Sequence, residues 1–316
     1  MHEEEDIMFK GMKAQRRMAF GVALTLSAGG GLLFSPSVQA AEHVKEIPST
    51  DTEHTAGIDG TTETGGFSSD NKITVGEVGA SGPTVNGDVS GGTDASDVAH
   101  NILTINSITL GNGYTVSGGK STGGAAMGNT VNLMGGVLGG DVYGGRAING
   151  AAERNTVNLH GGVTIGGTIH GGAGTSSAGN TLAVHSFGAK AKDFDNVQNL
   201  HFYLPAGTTS AETRTMLTLT NASAVKDIST LNLGVAAVAA DARALRPGDA
   251  VSLLKTNGTL TTAAQLRNTG NARTMTASHG GILDYTLGLA KRGENELIAT
   301  VERVDVNSRS KSPVET

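Results

Sequence analysis

The sequence predicts an all-β protein, a parallel β-helix (β-solenoid) with a C-terminal β-rich cap. The chain says nearly the same thing twice, as NTVNLMGGVLGGDVYGG from Asn129 and NTVNLHGGVTIGGTIHGG from Asn155. Aliphatic residues recur at two fixed places in five such copies, and a Gly-Gly pair follows a short strand in four of them.

The copies open at Asn71, Asn101, Asn129, Asn155 and Asn180, separated by 30, 28, 26 and 25 residues. Two positions after each asparagine stand Ile73, Leu103, Val131, Val157 and Leu182; four after stand Val75, Ile105, Leu133, Leu159 and Val184. The positions between are mostly Lys, Thr and Asn, with Ile102 and Ala183 as exceptions. This period of two, carried by β-branched residues, marks a strand with one wet face. Val89, Val116, Val142 and Ile169 each precede a Gly-Gly pair by two residues. Shorter strands are expected near Val137-Leu138 and Val163–Ile165. Glycine is expected at the corners because tight turns use positive φ.

A single unit cannot bury its aliphatic stripe, but stacked units can. About five coils at ~4.8 Å make a rod of ~24 Å, with the asparagines laddered at one corner. The two aliphatic columns argue against a disordered Gly/Ser/Thr tract, and the repeat identity argues against a β-sandwich.

In chain order, residues 1–40 have a basic start (Lys13, Arg16, Arg17), an apolar run Met18–Phe34, and the small-x-small ending Val38-Gln39-Ala40. This is the pattern of a secretory signal peptide cleaved between Ala40 and Ala41, with the true start at Met8 or Met12. The run is shorter than the ~20 residues of a membrane-spanning helix, and Gly29-Gly30-Gly31 interrupts it. Residues 41–70, rich in Ser, Thr, Gly and acidic groups, read as a disordered linker. Residues 71–188 are the Gly-rich β-helix repeats.

Residues 189–306 read as the β-rich cap, since a solenoid end exposes strand edges that must be covered. Strands are expected in 194–205, 215–223, 229–235 and 249–258, with short helical turns at Ala239–Leu245 and Thr262–Arg267. Two alternating runs around Arg292-Gly293-Glu294-Asn295 predict a hairpin over Asp284–Val304. Residues 307–316 form a tail.

Composition bounds the function. There are 47 Gly but only 6 Pro, with no Gly at every third place, so collagen is excluded. Aromatics are 3% and hydrophobics 37%, which suits a narrow aliphatic core. The net charge of −6 and the lack of a basic patch argue against nucleic acid as a partner. With no Cys, disulfides and thiolate metal sites are excluded together.

The Gly-Gly and NTVNL repeats, followed by FDNVQNLHFYLP (Phe194–Pro205), LRPGDAVSLLK (Leu245–Lys255) and YTLGL…NELIATV (Tyr285–Val301), resemble the passenger region of bacterial autotransporters. The likeness covers roughly residues 71–306 and the signal. It implies a β-helical passenger, an autochaperone-like final segment, and an outer-membrane β-barrel translocator as partner. The chain departs from that pattern in stopping after VDVNSRSKSPVET (Val304–Thr316), where the barrel would follow. The barrel is therefore expected from another chain, or the gene is truncated or split.

The motifs for chemistry are weak. Gly248-Asp249-Ala250-Val251 lacks the serine of a nucleophile turn, and no Gly-x-Ser-x-Gly is present. Gly118-Gly119-Lys120-Ser121 has Tyr114 where a phosphate loop needs glycine, and follows a strand repeat. His160 and His170 occupy repeat positions held by Met134 and Tyr143, which argues for variable outward side chains instead of metal ligands. Asp94 and Asp97 fit no calcium nonapeptide. Between Asn101 and Gly188 the acids are Asp141 and Glu153 alone, in different repeat positions, which disfavours a glycan-cleaving site.

The expectation is thus a non-enzymatic, exported, adhesin-like or surface-structural passenger without catalytic, cofactor or metal residues. Its ligand would lie on a host or bacterial surface. A β-helical polysaccharide-degrading enzyme and a truncated remnant held in the periplasm are the alternatives.

Overall fold

The computed structural model describes residues 43–49, 53–54, 57–221, 225–237, 245–269, 275–276 and 282–307. The expected signal peptide, its Ala40–Ala41 cleavage site and residues 308–316 lie outside these. Within them the chain winds as a parallel β-solenoid with an antiparallel C-terminal sheet.

Three parallel ladders form the walls. The first has eight strands, running from His43–Ile47 through Asn71–Val75, Ile102–Ile105, Thr130–Leu133, Thr156–Leu159, Thr181–Val184 and Asn199–Leu204 to Asn232–Ala237. Pairing is in register with the repeat: Val131 meets Val157 and Asn132 meets Asn158. The second ladder includes Val137–Leu138 beside Thr164–Ile165, and the third Val142–Tyr143 beside Thr168–His170. Two further ladders of three two-residue strands each, such as Lys120–Ser121 and Ala126–Met127, fill the long return to the first wall. These bridges were not anticipated, because two residues carry no periodic signature.

The interior is the narrow aliphatic core that composition required. Leu103, Val131, Val157 and Leu182 stack in one fully buried column, and Ile105, Leu133, Leu159 and Val184 in a second. Val89, Val116, Val142 and Ile169 face them from the third wall. Each such side chain contributes roughly 1.5–3 kcal/mol on leaving water. Ala126, Ala147 and Ala152 make a small separate cluster between the two short ladders.

The asparagines form the expected ladder, and its chemistry is specific. Each is 0–1% exposed. The backbone N–H of Asn71 donates to Asn101 Oδ1, that of Asn101 to Asn129 Oδ1, that of Asn129 to Asn155 Oδ1, and that of Asn155 to Asn180 Oδ1, at 2.9–3.1 Å. The Nδ2 of Asn101, Asn129, Asn155 and Asn180 each also reaches a backbone carbonyl of the preceding turn, as Asn155 does to Ala126 at 3.0 Å, while that of Asn71 donates to the Phe67 and Gly91 carbonyls. The residue before each asparagine is left-handed: Asp70, His100, Gly128, Arg154 and Gly179 have φ of 58, 58, 64, 54 and 68°. At that corner the neighbouring Oδ1 stands in for a backbone carbonyl. Thr64 Oγ1 caps the ladder at Asn71, and Gln198 Oε1 ends it by accepting from the Asn180 N–H at 2.9 Å.

The Gly-Gly pairs serve close approach instead of positive φ, which corrects the expected reason. None of these glycines has φ above zero. A Cβ on Gly144 would meet the Gly171 carbonyl of the next coil, and one on Gly145 would sit 2.5 Å from Asn155 Nδ2. These positions carry no side chain of their own because the asparagine amides fill the corner.

Two expected boundaries move, and one expected turn differs. Residues 41–70, read as linker, supply an additional coil: His43–Ile47 pairs with Asn71–Val75, Ile58–Asp59 pairs with Val89–Ser90, and Ile47 and Ile58 are buried. Few apolar residues suffice there because the adjacent coil supplies the rest of the contact surface. The solenoid also runs on past Gly188, through Asn199–Leu204, Asn232–Ala237 and Ala250–Thr256. The repeat signal fades there because coil length changes abruptly, from 25 residues to 18 and then 33. Thr262–Arg267 is irregular and not helical, while residues 239–244 of the other expected turn lie outside the described set.

The cap proper is the final sheet. Ile282–Arg292 and Glu296–Asn307 form the expected hairpin, with Arg292 opposite Glu296 and Gly293 at φ 60°. Its second strand pairs antiparallel with Ala250–Thr256, ending the second wall. Tyr285, Leu287, Leu297 and Val301 join the core. The edge of Asn232–Ala237 is met by Asn268, whose Oδ1 accepts from the Val235 N–H and whose Nδ2 donates to the Val235 carbonyl.

Candidate functional site

Two groups of outward side chains bring titratable residues of successive coils together on the solenoid walls. The first lies on the third ladder. Register places Tyr143, His170 and Asp195 on successive coils. The Tyr143 and His170 rings stack at 4.4 Å, with the Arg146 guanidinium 5.2 Å from the Tyr143 centroid. His170 Nδ1 lies 2.6 Å from Asp195 Oδ1, and its Nε2 lies 3.8 Å from Asp141 Oδ2. The Tyr143 hydroxyl donates to Asp141 Oδ2 at 3.4 Å, and Asp141 Oδ1 accepts from the Thr168 N–H at 2.8 Å. Burial, and then the Asp141 charge, push the Tyr143 phenol above its usual range.

Asp141 and Asp195 are thereby brought to opposite sides of one imidazole. Paired carboxylates are what glycoside cleavage uses, but they must flank the scissile bond. Here the His170 ring occupies the space between them, and both its nitrogens face carboxylates of this chain. Asp141, singled out from the sequence as isolated, gains a partner that no spacing rule could have supplied. Asp195 belongs to the shortened 18-residue coil, beyond the last Gly-Gly pair.

The second group lies on the first ladder. His160 stacks on His185 at 4.2 Å, and His185 on Tyr203 at 4.5 Å, with interplanar angles of 13° and 4°. His201 meets Tyr203 edge-on at 6.4 Å. Burial, and then the charge His160 would carry, lower His185 to about 4. Burial also lowers His160 and His201. Beside the rings, Asn158 Nδ2 donates to Asn132 Oδ1 at 2.8 Å, and Asn132 Nδ2 to Thr104 Oγ1 at 3.2 Å.

The remaining sequence candidates are structural in placement. Lys120 and Ser121 form a short strand that opens no helix, and Lys120 pairs with Asp88 at 3.6 Å. Asp94 accepts from the Ser96 N–H, the leading cause of its lowered pKa, and Asp97 accepts from the Ala125 N–H. Glu153 accepts from Ser176 Oγ at 2.6 Å. Among the described residues no three His, Asp or Glu side chains converge as a metal site. His160 and His170 do occupy the repeat positions of Met134 and Tyr143, as the sequence implied.

Compared with known proteins, the chain matches no protein-family model and no curated sequence.

Proposed function

We propose that the chain is a non-enzymatic, exported passenger of the autotransporter type, a surface rod that acts by presenting its walls. The observation that carries this is the use made of its polar side chains. Asp141, His170 and Asp195 bind one another across coils, and the asparagine ladder is consumed in joining one coil to the next. Signal-like residues 13–40 and the passenger-like motifs supply the exported and autotransporter parts of the proposal. Its test is expression of the full chain with its own leader, alone and beside a candidate β-barrel partner. Proteinase accessibility on intact cells is then measured. Protection in both cases, with release by osmotic shock, places the chain in the periplasm and overturns the surface reading.

The glycan-cleaving alternative is favoured by the two carboxylates about His170 and disfavoured by the ring between them. It makes a sharp prediction: wild type releases reducing ends or unsaturated products from a polysaccharide panel, and D141N and D195N do not. A panel with no turnover removes it.

A further inference from the structure

The outward face of the first ladder has an unusual chemical property for a chain with 16% charged residues. From Ile102–Ile105 to Asn199–Leu204 the outward positions of the five strands carry no Asp, Glu, Lys or Arg. Thr, Asn and His predominate, with Ile102, Ala183 and Tyr203 among them, and Lys72 bounds the area beside Ile102. Thr130, Thr156 and Thr181 form one column, and Thr104, Asn132 and Asn158 the next. Met134, His160, His185 and Tyr203 border them. Pairing continues without a register shift across these strands, so the columns repeat at the ~4.8 Å strand spacing. The uncharged area measures about 19 Å along the axis and about 13 Å across.

We propose that this face binds an extended, neutral, hydroxyl-rich polysaccharide strand; the inference rests on the surface-passenger function proposed above and names its ligand class. An ionic partner would lose hydration here and find no counter-charge, so the face selects against charged ligands. Amides and hydroxyls each retain donors and acceptors beyond those spent on neighbours. Asn132, for instance, uses one N–H on Thr104 and accepts one bond from Asn158, leaving a second N–H and a lone pair. His185 is covered on both faces, by His160 and by Tyr203, so within the stack it is the polar ring edges that face outward. Similar rows stacked along the axis, two of them identical (Thr130 with Asn132, Thr156 with Asn158), suit a polymer, whose many weak contacts add through effective concentration.

The experiment is affinity electrophoresis of the purified mature chain through gels containing hydroxyethyl cellulose, galactomannan or dextran. Polygalacturonate and heparin are the charged comparators. Wild type is expected to be retarded by at least one neutral polymer and by neither acidic one. T156E and T181K, verified as folded by unchanged thermal unfolding, are expected to lose the retardation at least tenfold. T164E, on the exposed second wall, is expected to keep it. No retardation by any neutral polymer, equal retardation by acidic ones, or unaltered binding by T156E and T181K overturns the proposal. So does a concentration-dependent dimer that T156E dissolves in the absence of neutral-polymer binding, since the face is then an interface between copies. The two proposals fail separately. A chain that binds neutral glycan but is never protease-accessible on cells loses only its surface role. An accessible chain that binds none loses only this ligand.

Discussion

Replacing Asn155 with Ala removes the centre of the buried ladder. One main-chain group loses its partner, the Asn129 N–H, now 2.9 Å from Asn155 Oδ1. The Ala126 carbonyl loses the Asn155 Nδ2 donor at 3.0 Å but keeps its place in the parallel pairing of Ala126 with Ala152. Asn180 Oδ1 keeps the Asn155 N–H, and Asn129 Nδ2 keeps the Val98 carbonyl, so neither is orphaned. A buried unsatisfied donor costs about 1–3 kcal/mol and the lost second bond to the Ala126 carbonyl about 0.5–1 kcal/mol, so the variant should lose about 3 kcal/mol. That is a large part of a typical domain stability of about 5–15 kcal/mol. N158A is the matched control. Its amide also bonds a neighbouring asparagine, at 2.8 Å, but water reaches it, so the loss should be about 0.5–1 kcal/mol. Urea unfolding followed by circular dichroism gives both values, with midpoint and slope fitted separately. Amide exchange at Asn129 should accelerate in N155A alone. A loss below about 1 kcal/mol, or equal losses in the two variants, would refute the argument that the ladder replaces missing backbone acceptors.

The Gly-Gly corner makes a second prediction: G145A should cost about 2–3 kcal/mol through overpacking, because its Cβ meets the buried Asn155 amide. G79A, at φ 79° with open space around it, should cost only about 1 kcal/mol of backbone strain, and comparing the two midpoints separates crowding from φ. R154G should raise stability by about 0.5 kcal/mol, since relief at φ 54° exceeds the added freedom of the unfolded glycine; a lower melting temperature would contradict this. The stacked imidazoles set a pH dependence. His185 falls from 6.5 to about 4 on folding, so on acidification the unfolded chain takes up its proton first and stability is lost between those values. Solvent screening of the partly exposed ring reduces the effect to about 1 kcal/mol. H185Q should flatten that segment of the stability–pH curve, and an unchanged curve would assign the acid sensitivity elsewhere.

The solenoid was legible in the sequence because stacking requires the same residue type at the same place in every coil. Ile73, Leu103, Val131, Val157 and Leu182 had to be aliphatic, and the asparagines had to recur, since each completes the hydrogen bonds of its neighbour. The closing hairpin was legible too, from alternation on either side of Gly293. Where the coil departs from its own length the signal ended: Gln198 takes over the ladder, yet nothing local marks it as equivalent to Asn180. The N-terminal coil was missed for a related reason. His43–Ile47 has one buried residue in five and borrows its burial from Asn71–Val75.

By itself, then, the sequence determined the wall spacing, the aliphatic interior and the corner chemistry, all of which are local rules repeated. Only the tertiary structure decided which coils are neighbours, and hence the contacts between residues 25 or 18 positions apart. It set Asp195 against His170, placed His185 between His160 and Tyr203, and left five successive strands of one wall without charge. Those outward groups obey no packing constraint, so their arrangement is a consequence of coil length, and coil length is settled only when the strands pair.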